Sequence, residues 1–480
     1  MTGIHRVQLL IGGEWREAAS GATLTILDPA TEEPVTIAPQ AGREDTQRAI
    51  EAAHAAFASW RRTPPWERSR LLREAARLLA TRSEEVARQL TLEVGKPIAQ
   101  SRAEVQAAVE CIDWYADEAR RIYGESLPGR APGQRFETQY EPVGVVAAFT
   151  AWNFPVVLQA RKIAPALAAG CTVVCRPAEE GTGAVALLVR CFLDAGLPAG
   201  VVNMLTGLPQ EISETVMDSE LVRKVSFTGS IPVGQYLIRR SADTVKRISM
   251  ELGGHAPVIV HEDVDVEQVA KASVAGKFRN AGQVCVSPTR FFVHRRLKDA
   301  FVAHFVAEAR KLRLGHGLDP ATDVGPLINR RRLAFIEKLV DDTRRDGACL
   351  VLGGGRPAGM NRGFFFEPTV FDDVPDEARA MREEPFGPIA LISPFDSFEE
   401  AIARANALPY GLAAYTFTNS LRLARRTIDA LETGIVGVNT FVAATAEMPF
   451  GGVKHSGFGR ENGRQGILDY LNVKFANIVM

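Results

Sequence analysis

The sequence predicts an α/β protein whose parallel sheets are covered by helices on both faces. Three observations predict it. Short apolar runs alternate with helical stretches between about residues 142 and 250, the spacing of strand–helix–strand crossovers. A second series of the same kind follows residue 253. The chain has 480 residues, so a prior of about 150 per domain gives three domains, or two large ones with an appendage.

Residues 64–97 precede both series and are strongly helical. Pro64-Pro65 opens a helix, Leu71, Ala75 and Leu78 recur on one face, Ser83-Glu84-Glu85 restarts the pattern and Gly95-Lys96-Pro97 stops it. Val143–Phe149 is a short strand run, followed by a helix from Pro155 to Gly170. Thr172–Cys175 is the next strand and Ala184–Ala195 the next helix, ended by Gly196-Leu197-Pro198. Val201–Leu205, Lys224–Phe227 and Arg247–Met250 continue the strands, with helical pieces at 209–218 and 231–241. The second series has strands near 257–260, 290–294, 349–352 and 390–393. Residues 122–141 and 466–480 fit neither series. The tail alternates apolar residues (Tyr470, Val473, Phe475, Ile478) and reads as a solitary edge strand that pairs across a subunit contact.

Composition excludes several classes. Lys plus Arg number 56 and Asp plus Glu 57, a formal net charge of -1, which lacks the footprint of a nucleic-acid or anionic-membrane binder. No apolar run approaches the ~18 residues of a membrane span. The first residues have too short an apolar core and too early a Glu for a secretory signal. Six cysteines in so long a chain form no disulfide framework, so a reduced, soluble, cytoplasmic protein is expected. Cys171 and Cys175 lie in an apolar strand with no second Cys/His pair at ligand spacing. They read as structural thiols, and no metal is expected.

Ligands of parallel sheets bind beyond the carboxyl ends of the strands, so the segments after each strand are where chemistry is sought. Trp152-Asn153 places an amide donor after the strand ending at Phe149, although a turn Asn is the plainer reading. Phe227-Thr228-Gly229-Ser230 ends a strand and opens a helix, leaving free N–H groups and a positive dipole end for an anion. No G-x-G-x-x-G fingerprint follows any predicted strand. Glu251-Leu252-Gly253-Gly254 puts an acid at a strand terminus, before two glycines that let backbone approach a ligand. Gly282-Gln283-Val284-Cys285 sets one cysteine in a loop, where an accessible thiol of lowered pKa would be a nucleophile.

These segments occur in order with Glu384-Pro385-Phe386-Gly387-Pro388 and Pro449-Phe450-Gly451-Gly452-Val453-Lys454-His455-Ser456-Gly457. The series resembles that of the NAD(P)-dependent aldehyde dehydrogenase superfamily over essentially the whole chain. The resemblance implies a Rossmann-like cofactor domain (1–121 and 142–252), an α/β catalytic domain (253–462) and small β oligomerisation segments (122–141 and 463–480). A homodimer or homotetramer follows from it. Cys285 would attack the aldehyde, with its own N–H and the Asn153 amide as oxyanion hole. Glu251 would be the base for water that hydrolyses the thioester, and Lys162 would assist proton relay beside that carboxylate.

The resemblance also assigns a cofactor surface. Thr150, Trp152, Gly229, Ser230, Leu252 and Gly253 would line it, with Glu384 on the nicotinamide ribose and Phe386 against the ring. At the adenosine end, Arg176 stands where the family has lysine. Glu179 can accept both hydroxyls of an unphosphorylated ribose, which favours NAD; Arg176 could instead pair a 2′-phosphate and admit NADP. Arg161 and Arg279 match positions that are arginine in succinate-semialdehyde dehydrogenases and would hold a distal carboxylate. For either arginine the alternative is a partner carboxylate within the protein. Ala444, with Thr445 beside it, replaces a serine of those enzymes, and Thr445 is taken as a substrate contact. The context of Cys285 is also similar to 2-oxoglutarate-semialdehyde dehydrogenases. Chain length therefore stays open, and a broad-specificity aliphatic or aromatic aldehyde dehydrogenase remains the alternative.

Overall fold

The protein is described here by a computed structural model covering residues 3–480. Its first large sheet has eight strands, in the order Gly457–Phe458, Arg247–Glu251, Val222–Thr228, Val145–Phe149, Thr172–Arg176, Val202–Met204, Leu9–Ile11 and Glu14–Arg16. The five strands from Arg247–Glu251 to Val202–Met204 are parallel to one another, and antiparallel pieces close both sides. Val145–Phe149 and Thr172–Arg176 are buried at every residue. Helices on both faces require continuous apolar runs rather than alternation.

The second sheet has seven strands, ordered Cys349–Leu352, Thr369–Asp372, Ile389–Phe395, Pro288–His294, Ala256–Val260, Ala413–Phe417 and Ile435–Val438. All its pairings are parallel except the one made by Cys349–Leu352. The strands at 369, 413 and 435 were not foreseen, because four- or five-residue apolar runs between helices carry little periodicity.

The α/β class and its parallel sheets are as expected, but the tail differs. Leu471–Val479 is not solitary: it pairs antiparallel with Gln134–Pro142 of the same chain over nine positions, and Ser126–Pro128 completes the three-stranded sheet. The two segments outside both series are partners because chain folding brings them together, a contact no local pattern reveals. The extended segment is also shorter than expected, since Gly463–Leu468 is helical.

Two helices position the site. Pro155–Ala169 is buried at all its residues, including the polar Gln159, Arg161 and Lys162, and begins directly after Trp152-Asn153-Phe154. It ends at Gly170, whose φ of 94° is a left-handed stop. Ile98–Glu118 packs against it and follows a turn in which Gly95 (φ 81°) ends the preceding helix.

Candidate active site

Cys285 follows a turn whose residues Asn280, Ala281 and Gly282 all have positive φ, at 48°, 52° and 73°. Only glycine fits the last of these. A Cβ on Gly282 would stand 2.0 Å from the Gly387 carbonyl oxygen, so the nucleophile loop lies directly on the Glu384–Pro388 segment. A Cβ on Gly254 would come within 3.1 Å of the Cys285 carbonyl, which brings the Glu251–Gly254 strand end to the same place. Asn153 is buried, and its Nδ2 donates to the Gln283 carbonyl at 3.2 Å. Four segments far apart in sequence thus converge on one thiol. Cys285 as a residue is partly exposed, yet burial of its thiol pushes the pKa up to about 12, with Arg161 acting in the opposite direction.

Glu251 is buried and neither carboxyl oxygen has a hydrogen-bond partner. Burial, then the nearby Glu461, holds its pKa well above the ordinary carboxylate range. Lys162 lies near Glu251, its charge acting to lower that carboxyl's pKa, but among the described residues it makes no hydrogen bond to it. Its Nζ donates to Glu461 Oε1 at 2.5 Å and to Ser226 Oγ at 3.0 Å. Glu461 was not picked out in the sequence. The signal was an acid four residues after the Lys454-His455-Ser456-Gly457 run, in a segment read only as chain.

A cavity of about 320 Å³ leads to Cys285, lined among others by Asn153, Phe154, Leu158, Arg161, Arg279 and Phe450. Arg161 is buried, with its guanidinium 4.9 Å from the Phe450 ring centroid and its Nε unpartnered. Arg279 is exposed and lies 5.4 Å from the Phe154 ring centroid. Among the described residues, neither guanidinium has an ion-pair or hydrogen-bond partner, so the protein carboxylate that could have explained them is not there. Thr445 is exposed and outside the cavity wall, where Ala444 stands instead. Its carbonyl accepts from Asn462 Nδ2.

On the other side of Cys285, Glu384 Oε1 accepts the Gly254 N–H at 3.0 Å, and burial raises its pKa to about 7. A Cβ on Gly253 would lie 2.6 Å from Glu384 Oε2, so the glycine lets the acid sit against backbone. Trp152 and Phe386 meet edge to face at 5.4 Å. Thr150 is fixed through its hydroxyl to Gln159, and Leu252 is buried. Gly229 and Ser230 precede the helix Ile231–Ser241, whose first turn has no side-chain cap, and Thr228 Oγ1 is a buried hydroxyl without a partner. Arg176 Nη2 donates to Glu179 Oε1 at 2.5 Å and to the Gly207 carbonyl at 2.7 Å. Uncapped N–H groups, an unpartnered hydroxyl and a glycine cradle fit the phosphates and riboses of a dinucleotide.

Cys171 and Cys175 are buried, with thiols pushed up by burial to about 11 and about 12, and unlike Cys285 neither lines the cavity. Among the described residues, no helix is long and apolar enough to cross a membrane.

Residues 15–476 match the family model described as the aldehyde dehydrogenase family. A putative 4-(hydroxymethyl)benzenesulfonate dehydrogenase (TsaD2) of Comamonas testosteroni is 46% identical over 475 residues, covering 98% of each chain. The NADP(+) succinate-semialdehyde dehydrogenase GabD of Escherichia coli is 40% identical over 472 residues, again covering 98% of each. A crystal structure of succinate-semialdehyde dehydrogenase from Burkholderia pseudomallei superimposes with a TM-score of 0.97 at 42% identity, covering 99% of this chain and 98% of that one.

Proposed function

The chain belongs to the aldehyde dehydrogenase family, enzymes that oxidise aldehydes, and within it we propose a dehydrogenase for aldehydes that carry a distal acid group, such as succinic semialdehyde. The observation that carries this reading is the pair of unpartnered guanidiniums, Arg161 and Arg279, in the cavity that reaches Cys285. A cation in a mostly apolar funnel, where the lining carboxylate Glu104 is already paired with Lys96, is matched by an anionic ligand through charge-assisted hydrogen bonds.

The residues then take these roles. Cys285 gives its proton to Glu251, which passes it on to solvent, and the sulfur adds to the aldehyde carbon. The Cys285 N–H and Asn153 Nδ2 receive the developing oxyanion, where one such donor is worth about 2.7–4 kcal/mol. The chemistry that NAD(P)+ supplies when bound is that of a hydride acceptor. Glu251 takes a proton from the water that hydrolyses the Cys285 thioester, which releases the acid and restores the thiol. Lys162 acts on this step through Glu461 rather than directly.

For the cofactor we favour NAD. Arg176 is already held by Glu179 and Gly207, which leaves it poorly placed for a 2′-phosphate. Thr150, Trp152, Gly229, Ser230, Leu252, Gly253, Glu384 and Phe386 complete the surface. Residues 1–121 with 142–252 serve as the cofactor domain, 253–462 as the catalytic domain, and 122–141 with 463–480 as the assembly segments of a cytoplasmic homodimer or homotetramer. The free outer edge of Leu471–Val479, with exposed Val473 and Phe475, supports that assembly role.

A second reading comes from the relative named for a benzenesulfonate substrate: an aromatic aldehyde with a sulfonate in place of the carboxylate. A panel of succinic semialdehyde, 4-sulfobenzaldehyde and butanal, run with NAD+ and NADP+, tests all of this. The expected result is a kcat/KM for an acid-bearing aldehyde at least about tenfold above butanal, the effect of one charge-assisted hydrogen bond. Equal values would sink the anion-clamp reading.

A further inference from the structure

We propose that the buried pair Lys96–Glu104 is the positioning device of the oxyanion donor, fixing the backbone at Asn153 so that its side-chain amide meets the reacting carbonyl. The inference rests on the oxyanion role given to Asn153 above and adds the residues through which that role is set.

Lys96 Nζ and Glu104 Oε2 lie 2.5 Å apart, both side chains wholly inaccessible to solvent. The same Nζ donates to the Asn153 carbonyl at 2.6 Å and stands 3.8 Å from the Phe154 ring centroid. Glu104 Oε1 accepts the N–H groups of Val156 at 2.9 Å and Val157 at 3.3 Å. These belong to the first turn of Pro155–Ala169, which has no cap of its own because Phe154 occupies the capping position. The pair therefore grips the chain on both sides of Phe154, by a carbonyl before it and by two N–H groups after it.

Asn280 Nδ2 adds a second donor to the Asn153 carbonyl at 3.2 Å, which ties this grip to the turn before Cys285. The Asn153 backbone is thus set against both the helix that carries Arg161 and the loop that carries the nucleophile.

Stability does not explain such a pair. Desolvation of two buried charges offsets most of their attraction, and apolar replacements of buried pairs are often neutral. Fixed geometry does explain it, because an amide displaced by about 1 Å costs on the order of a hundredfold in rate. Lys96 and Glu104 are positioning residues: they touch neither substrate nor cofactor in this scheme, although Glu104 also lines the cavity wall.

The test uses the full-length protein and the single-turnover rate of NADH formation. Lys96→Met, and Lys96→Met with Glu104→Gln, are compared in the wild-type and Asn153→Ala backgrounds. The double replacement removes both charges while keeping an acceptor for the helix N–H groups, so it supplies a folded variant should Lys96→Met alone not fold. The expected result is a rate loss of about ten- to a hundredfold, with aldehyde KM and NAD+ binding by calorimetry changed less than about threefold. In the Asn153→Ala background that loss should vanish, since the pair acts through Asn153.

A folded double variant at the wild-type rate overturns the proposal. So does an undiminished loss in the Asn153→Ala background, which marks a general structural role. If Asn153→Ala itself runs at the wild-type rate, the oxyanion reading fails and takes this proposal with it. A slow Asn153→Ala beside a fast double variant overturns the positioning pair alone.

Discussion

Arg161 and Lys162 are neighbours on one buried helix, yet the structure treats their charges in opposite ways. Lys162 is compensated by Glu461 and hydrogen-bonded to Ser226. Arg161 and Arg279 both line the cavity, and among the described residues neither has an ion-pair partner. Lys162 is thus paired within the protein, while Arg161 lines the cavity with a charge of the sign an acid-bearing substrate would balance. Compensation marks machinery internal to the protein, and its absence marks where a ligand's charge belongs.

The largest expected effect tests the thiol between the two sides. Cys285→Ala should reduce turnover by about four orders of magnitude or more, to the level left when a nucleophile is removed. In the unliganded protein, with the thiol pushed up to about 12, alkylation by iodoacetamide at pH 8 should run at least roughly tenfold slower than with glutathione and accelerate as pH rises. Fast alkylation at pH 8 would show that Cys285 is already a thiolate and remove the contrast.

Next comes the compensated side. Glu251→Gln should give a burst of NADH and then stall at the thioester, with steady turnover reduced by about 10²–10⁴-fold. In the wild type, turnover should rise with pH through an apparent pKa well above the usual carboxylate range, and the variant should lose that limb. The sign for stability is opposite. The folded protein holds this proton more tightly than the unfolded chain does, so the contribution is present at low pH and is lost as pH rises through the folded pKa. Thermal melts of Glu251→Gln should therefore show a smaller decline with pH than those of the wild type. A burst-free variant turning over normally would mean another base.

The smallest effect sharpens the open side. Arg161→Met and Arg279→Met should each raise KM for succinic semialdehyde by about 10- to 100-fold, the value of a hydrogen bond to a charged group, and change butanal kinetics little. Arg161 should matter more, because it is buried and Arg279 is screened by solvent. Equal losses for both aldehydes would assign the arginines to packing.

Much was legible in the chain, and the residues show why. The crossover rhythm from Val145–Phe149 to Arg247–Glu251 is written in local apolar periodicity and gave the parallel sheet. Cys285, Glu251 and Asn153 lie at strand ends or beside glycines, but it is the ordered motif series resembling the aldehyde dehydrogenases that gives them roles. The glycines at 253, 254 and 282 each admit a close approach of another protein segment that a Cβ would block, where the sequence suggested room for a ligand at 253 and 254 and only a loop at 282. Thr445 lies outside the cavity wall because adjacent residues in an irregular segment point in different directions, and of the two only Ala444 lines the cavity. Lys96 was read only as part of a helix stop.

By itself, then, the sequence determined the α/β class, the order of the strand-end motifs and the residue types able to perform acyl chemistry on a cysteine. Those depend on short-range patterning and on chemistry that few side chains can do. Tertiary structure alone decided which charges are paired. Lys162 met Glu461, Lys96 met Glu104 and Arg176 met Glu179, while Arg161 and Arg279 met no carboxylate among the described residues. The tail strand found Gln134–Pro142 by the same means. Pairing depends on distances between segments far apart in the chain. A buried charge announces its purpose only when its surroundings show whether another charge has been brought to meet it.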